Sequence, residues 1–377
     1  MAFRRIKMKN YIDNILLGVC EKLQLSPSLY EQATERYKTI AKTIENDSIF
    51  VGTKLNIYPQ GSFRLKTTIK PLSDEEYDLD FVAELPVDSR MTPNELYSHI
   101  ARILKHDGKH NDMIELKSRC VRVNYANDFH LDIMPGKLVN IATREIIVPD
   151  KELKQWYHHS NPIGFAEWFE NQARTRLRSE ILEYRRAQAK VESVTEQEIT
   201  EQLEPLRRDV QLVKRYRDIY CSENDAEPVR SIVICTLMGQ ISSFYGDALH
   251  IIESFCYYVN NLISQSNGQP FDVKNPVVNE VLTEKWHEGR NYRDFVGMMK
   301  AMTKDVEELR RLSTNSDANK VVKKMFGETI TNAVIKDYAR TLNESRINGT
   351  LSVNSSGILN TNGIGKSVKK NTFYGDN

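Results

Sequence analysis

Cysteine is scarce. Cys20, Cys120, Cys221, Cys235 and Cys256 are the 5 cysteines in a chain of 377 residues, odd in number, widely spaced and without a CxxC pair. That pattern supports neither a disulfide framework nor a zinc site, and it fits a reducing, cytoplasmic setting. Long apolar runs are missing as well. The longest, Ile232 to Ile241, is interrupted by Gln240 and falls short of the roughly 18 residues of a membrane span, so no membrane partner is expected. Nor is there a surplus of one charge. Lys+Arg number 52 against 51 Asp+Glu, a net charge of +1, which argues against a strongly basic nucleic-acid binder and an acidic solvating protein. Local concentration of charge still leaves anionic partners open. The 8 histidines include the adjacent pair His158–His159 but no HExxH motif, so no histidine metal centre is expected. The start, MAFRRIKMKNYIDNILLGVC, has no small-residue cleavage site, and Asp13 breaks its apolar run; it reads as an amphipathic first helix, not a signal peptide.

What is present is a soluble globular mix, 40% hydrophobic and 27% charged, of a length that suggests about two domains. Ile12, Ile15, Leu16, Val19 and Leu23, then Ala33, Tyr37, Ile40 and Ile44, have helical period. Between 50 and 150 the texture changes: LNIYP, YDLDFVAEL, CVRVNY and FHLDIMP read as strands, with a helix at about 93–106. From about 160 helical runs dominate: FAEWFENQARTRLRSEILEYRRAQAK, QEITEQLEPLRRDVQLVKRYRDIY, SIVICTLMGQISSFY, ALHIIESFCYYVNNLISQ, RDFVGMMKAMTKDVEELRRL and a segment near 316–341. Residues 346–377 hold 5 glycines and 6 asparagines in 32 residues, the composition of a mobile tail. The expected division is an α/β core with N-terminal helices (1–160), a helical domain (161–345) and a flexible tail (346–377).

The chemistry concentrates in two stretches of the α/β half. In Tyr58-Pro59-Gln60-Gly61-Ser62-Phe63-Arg64 a strand runs into a Gly-Ser turn that opens a short helix. Glycine lets a ligand approach the backbone closely, the following N–H groups face an anion, and Ser62 adds a hydroxyl, which together make a phosphate cradle. Asp78 and Asp80 follow in YDLDF. Two residues apart on a strand they share a face, while Leu79 and Phe81 share the other. Carboxylates this close raise each other's pKa unless a cation intervenes, and a hard, oxygen-liganded ion such as Mg²⁺ meets that need. A solvated acidic loop explains Asp74, Glu75 and Glu76 but not acids that alternate with large apolar residues. A third carboxylate, Asp132 in FHLDIMP, shares a strand face with His130 and Met134 opposite Phe129, Leu131 and Ile133, after a hairpin turn at Ala126-Asn127-Asp128. Acids on neighbouring strands can hold two metals about 4 Å apart for in-line displacement at phosphorus.

Gly61-Ser62, Asp78-x-Asp80 and a separated Asp132 resemble the polymerase β-like nucleotidyltransferase superfamily. YPQGSFRLKTTIKP…EYDLDF with the later HLDIMP resembles its bacterial cGAS/DncV-like branch, the CD-NTases, which make cyclic oligonucleotides as antiphage second messengers (the CBASS systems). The resemblance implies a polymerase β-like core, a mixed sheet with flanking helices, joined to a C-terminal helical domain across a cleft. It implies condensation of NTPs, ATP among them, into a cyclic di- or trinucleotide with release of pyrophosphate. Two Mg²⁺ ions, or Mn²⁺, would sit on Asp78, Asp80 and Asp132, with Gly61 and Ser62 on the nucleotide phosphates. Lys214 in LVKRYRD and Ser231 in VRSIVI match the family's triphosphate contacts, and NPVVNEVLTEKW matches its late Asn-Pro…Asn…Trp pattern. Lys66-Thr67 departs from the Gly-Thr of many relatives. The resemblance further implies a cyclic-nucleotide-activated effector, no stable nucleic-acid partner, and a C-terminus joined to targets by an E1/E2-like enzyme. Phe373-Tyr374-Gly375 resembles such a handle, although Asp376 and Asn377 follow the glycine. The same carboxylates would also serve a template-independent, poly(A) polymerase-like RNA nucleotidyltransferase, which the neutral charge balance disfavours.

Other signals carry less. Gly365-Lys366-Ser367 echoes a P-loop, but its earlier glycine is Asn360 and no strand precedes it. Arg174, Arg176, Arg178, Arg185, Arg186 and Lys190 are interleaved with acids, the pattern of a solvated helix face. Trp156, Trp168 and Trp286 read as core or ledge residues.

Overall fold

Alternation of apolar and acidic residues on one strand organises the first half of the molecule. The computed structural model describes residues 2–72, 77–106, 108, 110–125, 129–150, 155–188, 204–241, 247–353, 359–361 and 366–368. A seven-stranded mixed sheet is built from β1 (Asn56–Pro59), β2 (Tyr77–Leu85), β3 (Ile114–Leu116), β4 (Val121–Tyr125), β5 (Phe129–Asn140), β6 (Glu145–Asp150) and β7 (Gln155–Ser160). β2 and β5 run parallel at its centre; β1 flanks β2, β4 and then β3 lie beyond β5, and β6 and β7 extend from the far end of β5.

One face of this sheet is apolar. Leu79, Phe81, Ala83 and Leu85 of β2 join Val121 and Val123 of β4 and Phe129, Leu131 and Ile133 of β5. Two helices cover them, α2 (Pro27–Glu45) and α4 (Pro93–His106). The Tyr37 ring of α2 stacks on Phe81 with centroids 4.4 Å apart. α2 starts at Ser26, whose side chain accepts from the Leu29 N–H, with Pro27 at the first helical position. α4 starts with a capping box: the Thr92 hydroxyl accepts from the Glu95 N–H at 3.3 Å, and Glu95 accepts from the Thr92 N–H at 2.7 Å. Each fully buried Phe or Leu here contributes about 2–3 kcal/mol by leaving water. Those helices leave the opposite face, with Asp78, Asp80 and Asp132, open towards the rest of the chain.

The helical half holds α5 (Pro162–Gln188), α6 (Pro205–Asn224), α7 (Ser231–Gln240), α8 (Ala248–Gln265), α9 (Asn291–Arg311), α10 (Asn315–Phe326) and α11 (Glu328–Ile347). Its apolar cluster includes Phe169, Val213, Ile234, Phe255, Phe295, Met299 and Phe326. The first helix, α1 (Ala2–Leu23), belongs to this cluster too, through Ile12, Ile15, Leu16, Val19 and Leu23, so the chain crosses the boundary expected at residue 160 at its very start. The single helical segment expected near 316–341 is two helices. Gly327, with φ +95°, separates them in a conformation that side chains rarely tolerate.

The composition of residues 346–377 predicts a mobile tail; the described residues there include short elements. α11 continues to Ile347, and β8 (Ser352–Val353) pairs antiparallel with β9 (Leu359–Asn360) and β10 (Lys366–Ser367). Leu351 and Ser352 are buried. Low hydrophobicity hid these strands because they are only two residues long and rely on backbone pairing. Lys366 and Ser367 thus lie on a strand and not at a helix start, which removes the P-loop echo. The Phe373-Tyr374-Gly375 handle, the 126–128 turn and the acids 74–76 fall outside the described residues.

Candidate active site

The parallel register of β2 and β5 brings the acids together. Asp80 is the direct partner of Asp132, and Asp78 is the partner of His130. Neighbouring strands lie about 4.8 Å apart, so side chains of paired residues on one face are adjacent. The Gly-Ser turn is tied to the same spot: the Gln60 N–H donates to the Asp80 carbonyl at 2.8 Å, and α3 (Gly61–Leu65) starts immediately after. Gly61 has φ +59°, and a Cβ built there would stand 2.3 Å from Asp80 Oδ2. Glycine is therefore demanded twice, by conformation and by contact with the carboxylate.

Electrostatics follow from this crowding. Burial first, then the charges of Asp132 and Asp78, push the Asp80 carboxyl up to about 7. Asp78 is also raised, chiefly by loss of surrounding water, with Arg122 opposing and Asp132 adding to the shift. Arg122 was not singled out from the sequence. It pairs directly with Asp132 across β4 and β5. Its Nε donates to Asp132 Oδ1 at 2.7 Å, and its Nη2 donates to Asp132 Oδ2 at 2.7 Å and to Asp78 Oδ1 at 3.3 Å. The alternation of CVRVNY, with Val121, Val123 and Tyr125 inward, was the available sign: it puts Arg122 on the acid face. Burial first, then the neighbouring charge of Asp132, pushes the Cys120 thiol up to about 12.

The acids suit a divalent cation by the chemistry of their donors: three carboxylates on one face, two of them with raised pKa values, beside a guanidinium that does not pair with Asp80. Among the described residues no three His, Cys, Asp or Glu side chains are already gathered around one metal position. The Arg122 fork occupies both oxygens of Asp132.

The remaining expected residues lie on the helical side. The Ser62 hydroxyl is 3.2 Å from the Thr68 hydroxyl, and the Thr67 N–H donates to the Ser62 carbonyl at 2.9 Å. Lys214 Nζ donates to the Thr67 carbonyl at 2.8 Å, and burial lowers its pKa to about 8. It belongs to a ladder on α6 that grips the segment after α3: Arg207 donates to the Leu65 carbonyl, Gln211 to that of Thr68 at 3.0 Å and Arg215 to that of Lys70 at 3.2 Å. Ser231 is the first residue of α7, and its hydroxyl accepts from Arg217 Nη1 at 2.9 Å. Lys214 and Ser231 thus have protein partners of their own and do not meet the carboxylates directly. In the late Asn-Pro pattern Asn275 donates to Glu280 at 2.8 Å and Trp286 stacks on Phe295 with centroids 4.5 Å apart. Trp286 is buried, while Trp156 and Trp168 pack half-buried on the two cores. Of the basic run, Arg174 pairs with Glu170 at 2.6 Å; the side chains from Arg176 to Arg186 and Lys190 lie outside the described ones.

A mixed sheet with a Gly-Ser turn packed on paired aspartates, joined to a helical half, defines a polymerase β-like nucleotidyltransferase. Residues 11–173 match the Second Messenger Oligonucleotide or Dinucleotide Synthetase (SMODS) domain. The chain is 31% identical over 379 residues, 98% of each protein, to a c-di-GMP synthase of Roseivirga ehrenbergii. It is 27% identical over 241 residues, 59% of this chain and 57% of the relative, to the cyclic dinucleotide synthase CdnG of Bradyrhizobium diazoefficiens. The structure of that CdnG in complex with GTP superposes with a TM-score of 0.71 at 22% identity, covering 87% of this chain and 99% of that one. A point mutant of the dinucleotide cyclase DncV of Vibrio cholerae, in complex with ATP and GTP, gives 0.56 at 16% identity, covering 88% of this chain and 89% of that one. The chain belongs to the CD-NTase family of second-messenger synthetases: it is a nucleotidyltransferase that condenses nucleoside triphosphates into a cyclic di- or trinucleotide.

Proposed function

We propose that the protein joins two GTP molecules into cyclic di-GMP at Asp78, Asp80 and Asp132. The observation that carries the placement is the Asp80–Asp132 register with Gly61 pressed on Asp80. The choice of guanine rests on the Roseivirga relative, a c-di-GMP synthase, and on CdnG, solved with GTP.

The three aspartates would hold two divalent cations, Mg²⁺ or Mn²⁺, which would supply the charge that favours a deprotonated acceptor hydroxyl and a departing pyrophosphate. The chain's own residues do the rest by position and field. Gly61 and Ser62 offer backbone and hydroxyl to the phosphates beside Asp80. The α6 ladder holds residues 65–70, and through Thr67 and Thr68 it holds Ser62. Lys214 and Ser231 would meet the triphosphate from the helical side, which requires each to exchange its present partner for phosphate oxygen. No histidine base is needed. A poly(A) polymerase-like RNA activity is not favoured, because the full-length relative makes a cyclic dinucleotide.

The product is diffusible and acts only if a second protein reads it, so an effector gated by a cyclic dinucleotide completes the system, in antiphage defence as in the wider family. No helix among the described residues is long and apolar enough to cross a membrane, and a cytoplasmic site of synthesis accords with the free cysteines. The test is mass spectrometry of phosphatase-resistant products formed from mixed NTPs and Mg²⁺. Cyclic di-GMP as the main species supports the reading, whereas RNA-dependent chain extension overturns it.

A further inference from the structure

Three carboxylates on one face of a sheet need positive charge in every state of the enzyme, before a metal arrives as well as after. Arg122 supplies it. The fork lies in the plane that suits a carboxylate, with two contacts of 2.7 Å to Asp132, and the same Nη2 leans 3.3 Å towards Asp78. Side-chain exposure is only 20% for Arg122 and 16% for Asp132, so water screens this contact weakly. A guanidinium cannot shed its proton, so its charge is removed from the site only by moving the side chain.

We propose that Arg122 is the resident counter-ion of the metal-free site and competes with the divalent cation for Asp132, so that metal uptake and release of this guanidinium are one exchange. This rests on the reading that the three aspartates hold metal. A cation next to Asp132 repels an incoming divalent ion, and the fork engages both carboxylate oxygens of Asp132. Arg122 does not pair with Asp80, and it reaches the exposed Asp78 only through the longer 3.3 Å contact, so its hold is strongest on Asp132. Arg122 is therefore a positioning residue: it keeps the empty acids from springing apart, and it sets how much metal is needed to fill them.

The exchange is measured on the full chain with Mn²⁺ as probe, following free Mn²⁺ by electron paramagnetic resonance. The titration is run alone and with the α,β-methylene analogue of GTP, which cannot be cleaved at the α-phosphorus. Arg122→Gln is expected to bind Mn²⁺ at least fivefold tighter than the parent, and Arg122→Lys, which keeps the charge, within about twofold of it. Equal or weaker binding by Arg122→Gln overturns the proposal and makes Arg122 a strut that holds Asp132 for the metal. Should Arg122→Gln not fold, the parent protein decides. Saturating Mg²⁺ is expected to shift the Arg122 Nε–H resonance and speed its exchange with water, and an unmoved resonance overturns the proposal. A parent protein that takes up no Mn²⁺ in either titration and makes no product removes the metal reading itself, a different outcome from the two above.

Discussion

Asp80 and Asp132 stand opposite each other on parallel strands, and Gly61 closes on Asp80 from the turn that begins α3. Parallel pairing requires a long crossover, so these residues are far apart in the chain and adjacent in space. The Gly61–Ser62 backbone, proposed to receive the nucleotide phosphates, therefore lies beside both carboxylates.

Gly61 is strained by any side chain. Gly61→Ala places a Cβ 2.3 Å from Asp80 Oδ2 at φ +59°, a strain of about 1–3 kcal/mol. The variant is expected to fold with a lowered melting temperature and to lose product formation by about 100-fold or more; near-parental turnover would show that the turn does not meet the phosphates.

Stability should depend on pH through Asp80. Its folded pKa of about 7 lies above the ordinary carboxylate value, 3.8, so the native state binds more protons than the unfolded one between those values. Stability from this group is complete below the ordinary carboxylate pKa and is lost as pH rises from there through about 7, by about 4 kcal/mol. Metal-free protein should therefore melt at a higher temperature at pH 5.5 than at pH 8, and Asp80→Asn should flatten the difference. Mg²⁺ should raise the pH 8 melting temperature of the parent and not of the variant. An equal pH difference in both proteins would contradict the assignment.

The α6 ladder separates binding from folding. Lys214→Met removes the charge while keeping most of the volume, and Gln211→Ala frees the Thr68 carbonyl. Leaving one buried carbonyl unpaired costs about 1–3 kcal/mol. If Lys214 also serves the triphosphate, Lys214→Met raises KM for GTP about tenfold or more and Gln211→Ala raises it much less. Equal KM values with lowered melting temperatures would make the ladder a strut alone.

Gly327→Ala tests the break between α10 and α11. At φ +95° an added side chain is strained, and its Cβ would meet Ile219 at 3.4 Å. A fall of about 2–6 °C in melting temperature is expected, with product identity unchanged; an unchanged melting temperature would show that the turn relaxes freely.

Much of this was legible in the sequence because it depends on local period. YDLDFVAEL is β2 residue for residue, ALHIIESFCYYVNNLISQ is α8, and the helix at 93–106 is α4. The acid face of β2 and β5 could be read from alternation alone. What could not be read depends on partners remote in the chain. Arg122 is one polar residue in a strand until β4 is set beside β5. The α6 ladder is a run of mixed charges until the carbonyls of 65–70 are placed under it. α1 has a clear apolar face, but nothing in that face says that its core is the helical one. β6 and β7 lack a strong alternating signal, and β8–β10 are too short to have a period.

The most direct measurement of the central claim compares the parent with Asp78→Asn/Asp80→Asn and with Asp132→Asn, each first shown to be folded, by mass spectrometry of products from GTP and Mg²⁺. The parent is expected to make cyclic di-GMP, and both variants are expected to make none. The same cyclic product at undiminished yield from either variant would contradict the account.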